Sequence, residues 1–343
     1  MLKDMLCDLQ VPALLPRDEM LTILQQEAYG IMPQKPEKLT FSVDENVISH
    51  FCAGKARCNR VTAHCTVKGK EFLFPFYAVL PADGKKHPFF VHINFFDTIP
   101  SRYTPVEELV DNGFAVLEFC YKDVTSDDGD YTNGLAGVLY EDGKRRPDDA
   151  GKIAIWAWAA QRVMDYAQTL GDVLCLETAA VCGHSRLGKT ALLAAATDTR
   201  FAFAYSNDSG CSGAAISRGK QGETVEKICK VFPYWFCENY LKYAGCEQEM
   251  PFDQHYLIAA IAPRCVLVGS ASEDLWADPV AEQLGCLAAS PAFSKGLACP
   301  DRPAQIGEMF FDGNVGYHLR RGEHYFSRED WQKLIKFIHQ HTM

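Results

Sequence analysis

Apolar residues fall at every second position through Asn59–Val67 and again through Phe72–Leu80, within a region, Thr40–Leu80, that reads as antiparallel strands. Pro75 has no N–H for a ladder and restricts its strand to an edge or a bulge. Residues 1–40 differ. Glu19–Gln26 is apolar at helical spacing and is followed by Pro33, Pro36 and polar residues, which predicts a short helical arm ahead of the main domain. Beyond Asp83-Gly84 the order becomes strand, loop, helix. Pro88–Phe95 is a strand pattern, Val106–Val110 a helix stopped by Asn112-Gly113, and Phe114–Phe119 a second strand. Ala150–Leu170, carrying Trp156, Trp158, Val163 and Tyr166, is a long helix. It leads into the strand run Ala179–Cys182, the helix-like Thr190–Ala196, two strand patterns at Phe201–Ser206 and Pro263–Ser270, and a closing helix Trp331–Gln340. Such alternation builds a mainly parallel sheet covered by helices on both faces, a three-layer αβα sandwich in one domain spanning 41–343. No internal repeat or low-complexity tract interrupts it.

One junction in this pattern carries chemistry. The run Val181-Cys-Gly183-His-Ser185-Arg-Leu-Gly188-Lys189 delivers a serine from a strand into a Gly-x-Ser-x-x-Gly turn that opens a helix. A strand driven into so sharp a turn forces the serine into a strained conformation and leaves its hydroxyl above the sheet. The following helix N-terminus presents free N–H groups where an oxyanion would develop. Ser185 is thus a candidate nucleophile. The commoner spelling places the second glycine one residue earlier, where Leu187 stands here.

Composition narrows the partners. A formal net charge of −10 disfavours a nucleic acid or an anionic membrane, which call for a basic face. No stretch reaches the roughly 18–20 apolar residues of a membrane span. The amino terminus has no long apolar core followed by a cleavage site, so a cytoplasmic location is expected unless a leader has been lost. Fourteen cysteines, among them Cys120, Cys182, Cys229 and Cys265, sit largely in apolar patterns and read as reduced, buried thiols. Cys52, Cys58 and Cys65 lack the paired spacing of a zinc site, and no metal or organic cofactor is expected.

A nucleophilic serine needs a base, and in strand–elbow–helix enzymes the acid and then the histidine follow it in sequence. His339 and His341 fall in the last helix, His184 adjoins the serine but points away from it, and His255 opens an apolar helix. His318 and His324 remain. His324 follows Gly322 and precedes Ser327, a helix N-cap with Asp330 three residues on, so it hangs in a loop before the last helix. His318 reads as a buried histidine bonded to backbone. Two loops offer the acid: Ser270 leads to Glu273, Asp274, Trp276 and Asp278-Pro279, while Ser206 leads to Asn207 and Asp208. Asp278 before a proline reads as a turn or helix cap.

The order of strands with the elbow in the middle resembles an α/β-hydrolase, and the linked motifs resemble the glucuronoyl esterases of carbohydrate esterase family 15, in particular bacterial members. The resemblance spans roughly residues 85–335 and rests on Gly183-His-Ser-Arg-Leu-Gly-Lys189, Asn207–Ala215, Phe232-Pro-Tyr-Trp-Phe236, Pro251–His255 and Glu273-Asp-Leu-Trp-Ala-Asp-Pro279. It implies Ser185 as nucleophile, His324 as general base, and Arg186 as donor to the oxyanion through its N–H and its guanidinium. It implies Lys189 and Trp276 at the sugar hydroxyls and ring. The acid occurs after either strand in the family, so Asp274 and Asp208 both stand, with Glu273 in reserve. Where fungal members carry a sugar-binding glutamate this chain has Phe232, and Glu223 is the substitute on offer. The implied substrate is a small carbohydrate ester of glucuronic or 4-O-methylglucuronic acid. An acetyl xylan or other carbohydrate esterase, and a sugar-binding protein without turnover, are the alternatives.

Overall fold

The computed structural model describes residues 1–342. Among them, ten strands form one sheet: β1 Lys38–Asp44, β2 Ala56–Val67, β3 Lys70–Pro81, β4 His87–Asn94, β5 Ala115–Cys120, β6 Leu174–His184, β7 Phe203–Asn207, β8 Cys265–Ala271, β9 Met309–Phe310 and β10 Val315–Arg320, ordered β1-β2-β3-β5-β4-β6-β7-β8-β10-β9. β1 to β3 join antiparallel, and β5 through β10 in spatial order are parallel. β9 closes the far edge antiparallel to β10.

The two-residue period of the strands decides which face each side chain covers. On β4, Phe89, Val91 and Ile93 join one core with Trp156, Trp158 and Leu192, while Phe90 joins the other with Phe114, Val116, Trp331 and Phe337. The Lys152–Ala167 and Arg186–Thr197 helices therefore cover one face and the Val106–Asp111 and Arg328–Thr342 helices the other, giving the three-layer sandwich of an α/β-hydrolase. The buried runs of β4 and β5 follow from cover on both faces.

The first 40 residues run along this body. Leu2 packs with Ile216 and Leu284, and Leu24 and Tyr29 are buried in the larger core. The Tyr29 hydroxyl lies 2.8 Å from both the Ser212 carbonyl and Gln254 Oε1, and Arg17 donates to the carbonyls of Ala260 and Ala196. Helix Arg17–Leu24 continues as a π-helical turn over Gln25–Tyr29.

Two sequence expectations change in detail. β3 lies inside the sheet, but it pairs with β5 only through Tyr77–Val79, so Pro75 sits on a part of the strand with one open side. The stretch holding His318, which the apolar pattern does not mark as a strand, is β10, paired with β8. Its polar residues are masked as strand positions because their partners come from far in the chain: His318 Nε2 is 3.0 Å from the Tyr205 hydroxyl, and Arg320 joins Asp208 and Asp330. His318 is buried as expected, but against a tyrosine rather than backbone. No two cysteines are bonded, and burial pushes the thiols of Cys58 and Cys65 up to about 12.

Candidate active site

The carboxyl ends of β6, β7, β8 and β10 open on one edge of the sheet, where an α/β architecture collects its ligands. β6 ends in the elbow. Ser185 stands at φ 58°, ψ −128°, a conformation that disfavours a side chain, and its N–H donates to the Asn207 carbonyl at 2.9 Å. A Cβ on Gly183 would lie 2.3 Å from the Leu187 carbonyl oxygen, so only glycine lets the turn close. A Cβ on Gly188 would come within 3.0 Å of Ser206 Oγ and 3.1 Å of Ser209 Cβ. The second glycine thus lets the helix sit tightly against the end of β7, while Leu187 turns into the core.

The histidine loop reaches back from the other side. His324 Nδ1 is 2.6 Å from Asp274 Oδ2, and Asp274 Oδ1 accepts the Ala277 N–H at 3.1 Å. Burial alone would raise the Asp274 carboxyl, but the hydrogen bond and charge of His324 and the Ala277 N–H outweigh it and hold it below the ordinary value. The Glu273 N–H donates to the Gly322 carbonyl at 2.9 Å and ties the two loops together, with the Glu273 side chain exposed. Beneath His324 lies the His184 ring, 4.4 Å between centroids, its Nδ1 2.7 Å from Asn207 Oδ1. Burial and the neighbouring His324 drive His184 far down, so it is a neutral floor.

Asp208 is close but differently engaged. Its Oδ1 accepts the Ala271 N–H at 2.8 Å and its Oδ2 the Arg320 guanidinium at 3.2 Å. Burial and the carboxylates of Glu282 and Asp330 push it well above the usual range against the pull of Arg320. Ligand atoms of Asp208, Asp274 and His324 all lie within 4.8 Å of one another, yet Asp274 is the carboxylate hydrogen-bonded to the imidazole. Asp278 caps helix Pro279–Ala289 by accepting from Ala281 N at 3.1 Å.

Ser185, His324, Asp274 and Asp208 line one cavity of about 340 Å³ with Arg186, Lys189, Glu223, Phe232, Trp235 and Trp276. Lys189, one helical turn beyond the serine, is buried; it donates to the Ser209 carbonyl and lies 4.0 Å from Glu223 Oε2. Burial lowers its pKa, and Glu223 opposes that. Trp276 is 54% exposed at the rim, where its carbonyl accepts the Glu223 N–H at 3.0 Å. Phe232 stacks flat on Trp235 at 3.9 Å.

Two residues here escape a sequence reading. Asp127 holds the Arg186 guanidinium, and nothing in Ser126-Asp-Asp-Gly-Asp130 separates it from its acidic neighbours. Glu282 lies fully buried behind the cavity and takes the Gly210 N–H at 2.9 Å and Ser270 Oγ at 2.5 Å. In sequence it is one charge in a helix.

A profile of fungal glucuronyl esterases matches residues 63–297. A carbohydrate esterase from an unknown prokaryotic organism is 40% identical over 69% of this chain, and the match spans 55% of that relative's length. A 4-O-methyl-glucuronoyl methylesterase of Schizophyllum commune is 25% identical over 83% of this chain and 69% of its own. The glucuronoyl esterase of Solibacter usitatus superposes with a TM-score of 0.86 at 33% identity, covering 95% of this chain and 92% of the other. With the strand order, the elbow and the Asp274–His324 pair already in place, these matches show that the chain belongs to the glucuronoyl esterase family, carbohydrate esterase family 15.

Proposed function

We propose that the protein is a serine carboxylester hydrolase that cleaves esters of glucuronic acid, including its 4-O-methyl form, through an acyl-enzyme. Ser185 Oγ attacks the ester carbonyl while His324 accepts its proton, and Asp274 stabilises the imidazolium. The negative charge on the carbonyl oxygen meets the Arg186 N–H at the helix start and the Arg186 guanidinium. His324 then protonates the departing alcohol, and a water activated by the same ring hydrolyses the acyl-enzyme to the free uronate.

The observation that carries this reading is the convergence of a strained elbow serine and a carboxylate-paired histidine on one cavity. Lys189 supplies a buried donor and Glu223 a partly buried acceptor for sugar hydroxyls, and the exposed face of Trp276 suits a sugar ring. The names of the relatives support the uronate as the acyl group. The test is specificity: kcat/KM for benzyl glucuronate measured beside 4-nitrophenyl acetate. Higher efficiency on the glucuronate ester supports the assignment, whereas turnover of acetate alone returns the site to an acetyl esterase. Sugar binding without turnover of either leaves a binding protein.

A further inference from the structure

The loop after β5 brings one carboxylate to the oxyanion side of the cavity. The Asp127 side chain is only 7% exposed, and both of its oxygens are in use. Oδ2 accepts from Arg186 Nη1 and from the Tyr121 hydroxyl at 2.8 Å, and Oδ1 accepts from Trp235 Nε1 at 2.7 Å. Its backbone carbonyl accepts the Tyr234 hydroxyl at 3.2 Å, which pins the loop. The Arg186 guanidinium rests on the Trp235 ring at 4.6 Å, with Phe232 and Phe95 at 5.5 and 5.6 Å. One carboxylate thus fixes both the guanidinium and the ring it lies on, joining the β5 loop, the elbow helix and the 232–235 segment. The Arg186 Nε is buried and has no hydrogen-bond partner, a donor that folded proteins ordinarily satisfy.

We propose that Asp127 is a positioning residue for the ester hydrolysis, holding the Arg186 guanidinium beside Ser185 in the direction the oxyanion requires. The inference rests on the serine mechanism above. A guanidinium stays protonated at every working pH, so the carboxylate contributes orientation rather than a proton. An arginine without this anchor has many rotamers open to it. Fixed by Asp127 and Trp235, it meets the oxyanion already aimed, and preorganised donors of this kind act on the transition state more than on bound substrate.

The test compares Asp127→Asn, Asp127→Ala, Arg186→Ala and the Asp127→Ala/Arg186→Ala double variant, with thermal unfolding recorded for each. The readouts are kcat and KM on benzyl glucuronate and the rate at which a fluorophosphonate labels Ser185. Loss of an oxyanion donor costs about 10²- to 10³-fold in kcat, and that is the expectation for Arg186→Ala. Asp127→Ala should lose about 10- to 100-fold in kcat and in labelling rate with KM within about threefold, since the donor remains but is no longer aimed. Asp127→Asn keeps a single acceptor oxygen, which serves Trp235 or the Tyr121–Arg186 side but not both, and falls between Asp127→Ala and wild type. The double variant should match Arg186→Ala. Losses that multiply in the double variant, or an Asp127→Asn variant at wild-type kcat and labelling rate, overturn the proposal. Wild-type protein that is labelled no faster than Ser185→Ala overturns the serine mechanism itself, and the inference with it.

Discussion

Replacing Asp274 by asparagine removes one charge from beside His324 Nδ1 and leaves the shape of the site. In the native site the carboxylate oxygen lies 2.6 Å from Nδ1 of a ring that becomes cationic in the transition state. Two unit charges about 4 Å apart at an effective dielectric constant of about 20 attract by about 4 kcal/mol. At 1.36 kcal/mol per tenfold, that is about 10³-fold in kcat. An asparagine that turns its amide nitrogen toward Nδ1 also selects the wrong tautomer, which takes the loss toward about 10⁴-fold. Asp208→Asn is the control. Its oxygens serve Ala271 and Arg320 rather than the imidazole, so the expected loss is below about tenfold. Steady-state kinetics on benzyl glucuronate near pH 7.5, a working value chosen at about one unit above an ordinary histidine pKa, distinguish the two. Thermal unfolding adds a second readout. Because the folded-state pKa of Asp274 is depressed, its stabilisation is present above the ordinary carboxylate range and is lost as pH falls through the folded value. Asp274→Asn should therefore lose stability relative to wild type at neutral pH and converge on it in acid. Equal losses in the two variants, or a loss below tenfold for Asp274→Asn, would refute the assignment of the acid.

Three further outcomes follow from the geometry. Burial pushes Glu282 from 4.5 up to about 7 against the hydrogen bonds of Ser270 and Gly210, so wild-type stability should fall by about 3 kcal/mol between those values, and Glu282→Gln should remove that slope in melts taken from pH 4.5 to 8. Ser185→Gly should melt a few degrees above Ser185→Ala, because glycine relieves about 1–3 kcal/mol of strain at φ 58°; equal melting temperatures would mean the elbow is unstrained. Trp276→Ala should raise KM about 3- to 10-fold with kcat unchanged, as a rim aromatic that stacks on the sugar equally in ground and transition states would, and a fall in kcat at constant KM would move Trp276 into the chemistry.

The readable parts of this protein are those whose cause is local. The elbow is legible because Gly183 and Gly188 answer steric demands within a few residues, and the His324 loop because Gly322 and the Ser327–Asp330 cap mark its ends. The carboxylate partner of His324 is legible only to two positions. Asp208 and Asp274 both follow parallel strands, and the choice between them depends on Arg320, a residue of β10 more than a hundred positions from Asp208. For the same reason β10 did not read as a strand: His318 and Arg320 are polar in sequence but matched in space by Tyr205, Asp208 and Asp330. Asp127 leaves no signal, since two of the partners that hold it, Arg186 and Trp235, come from distant segments. Long-range pairing of polar groups is what a pattern of apolar positions cannot carry.

The central claim is that an ester of glucuronic acid is opened by Ser185. Hydrolysis of benzyl glucuronate by wild type and by Ser185→Ala tests it directly. The account predicts serine-dependent turnover, with a loss of about 10⁴- to 10⁶-fold in kcat on removing the hydroxyl and no loss of fold. Turnover that survives the substitution within about tenfold would place the chemistry on another residue and contradict it.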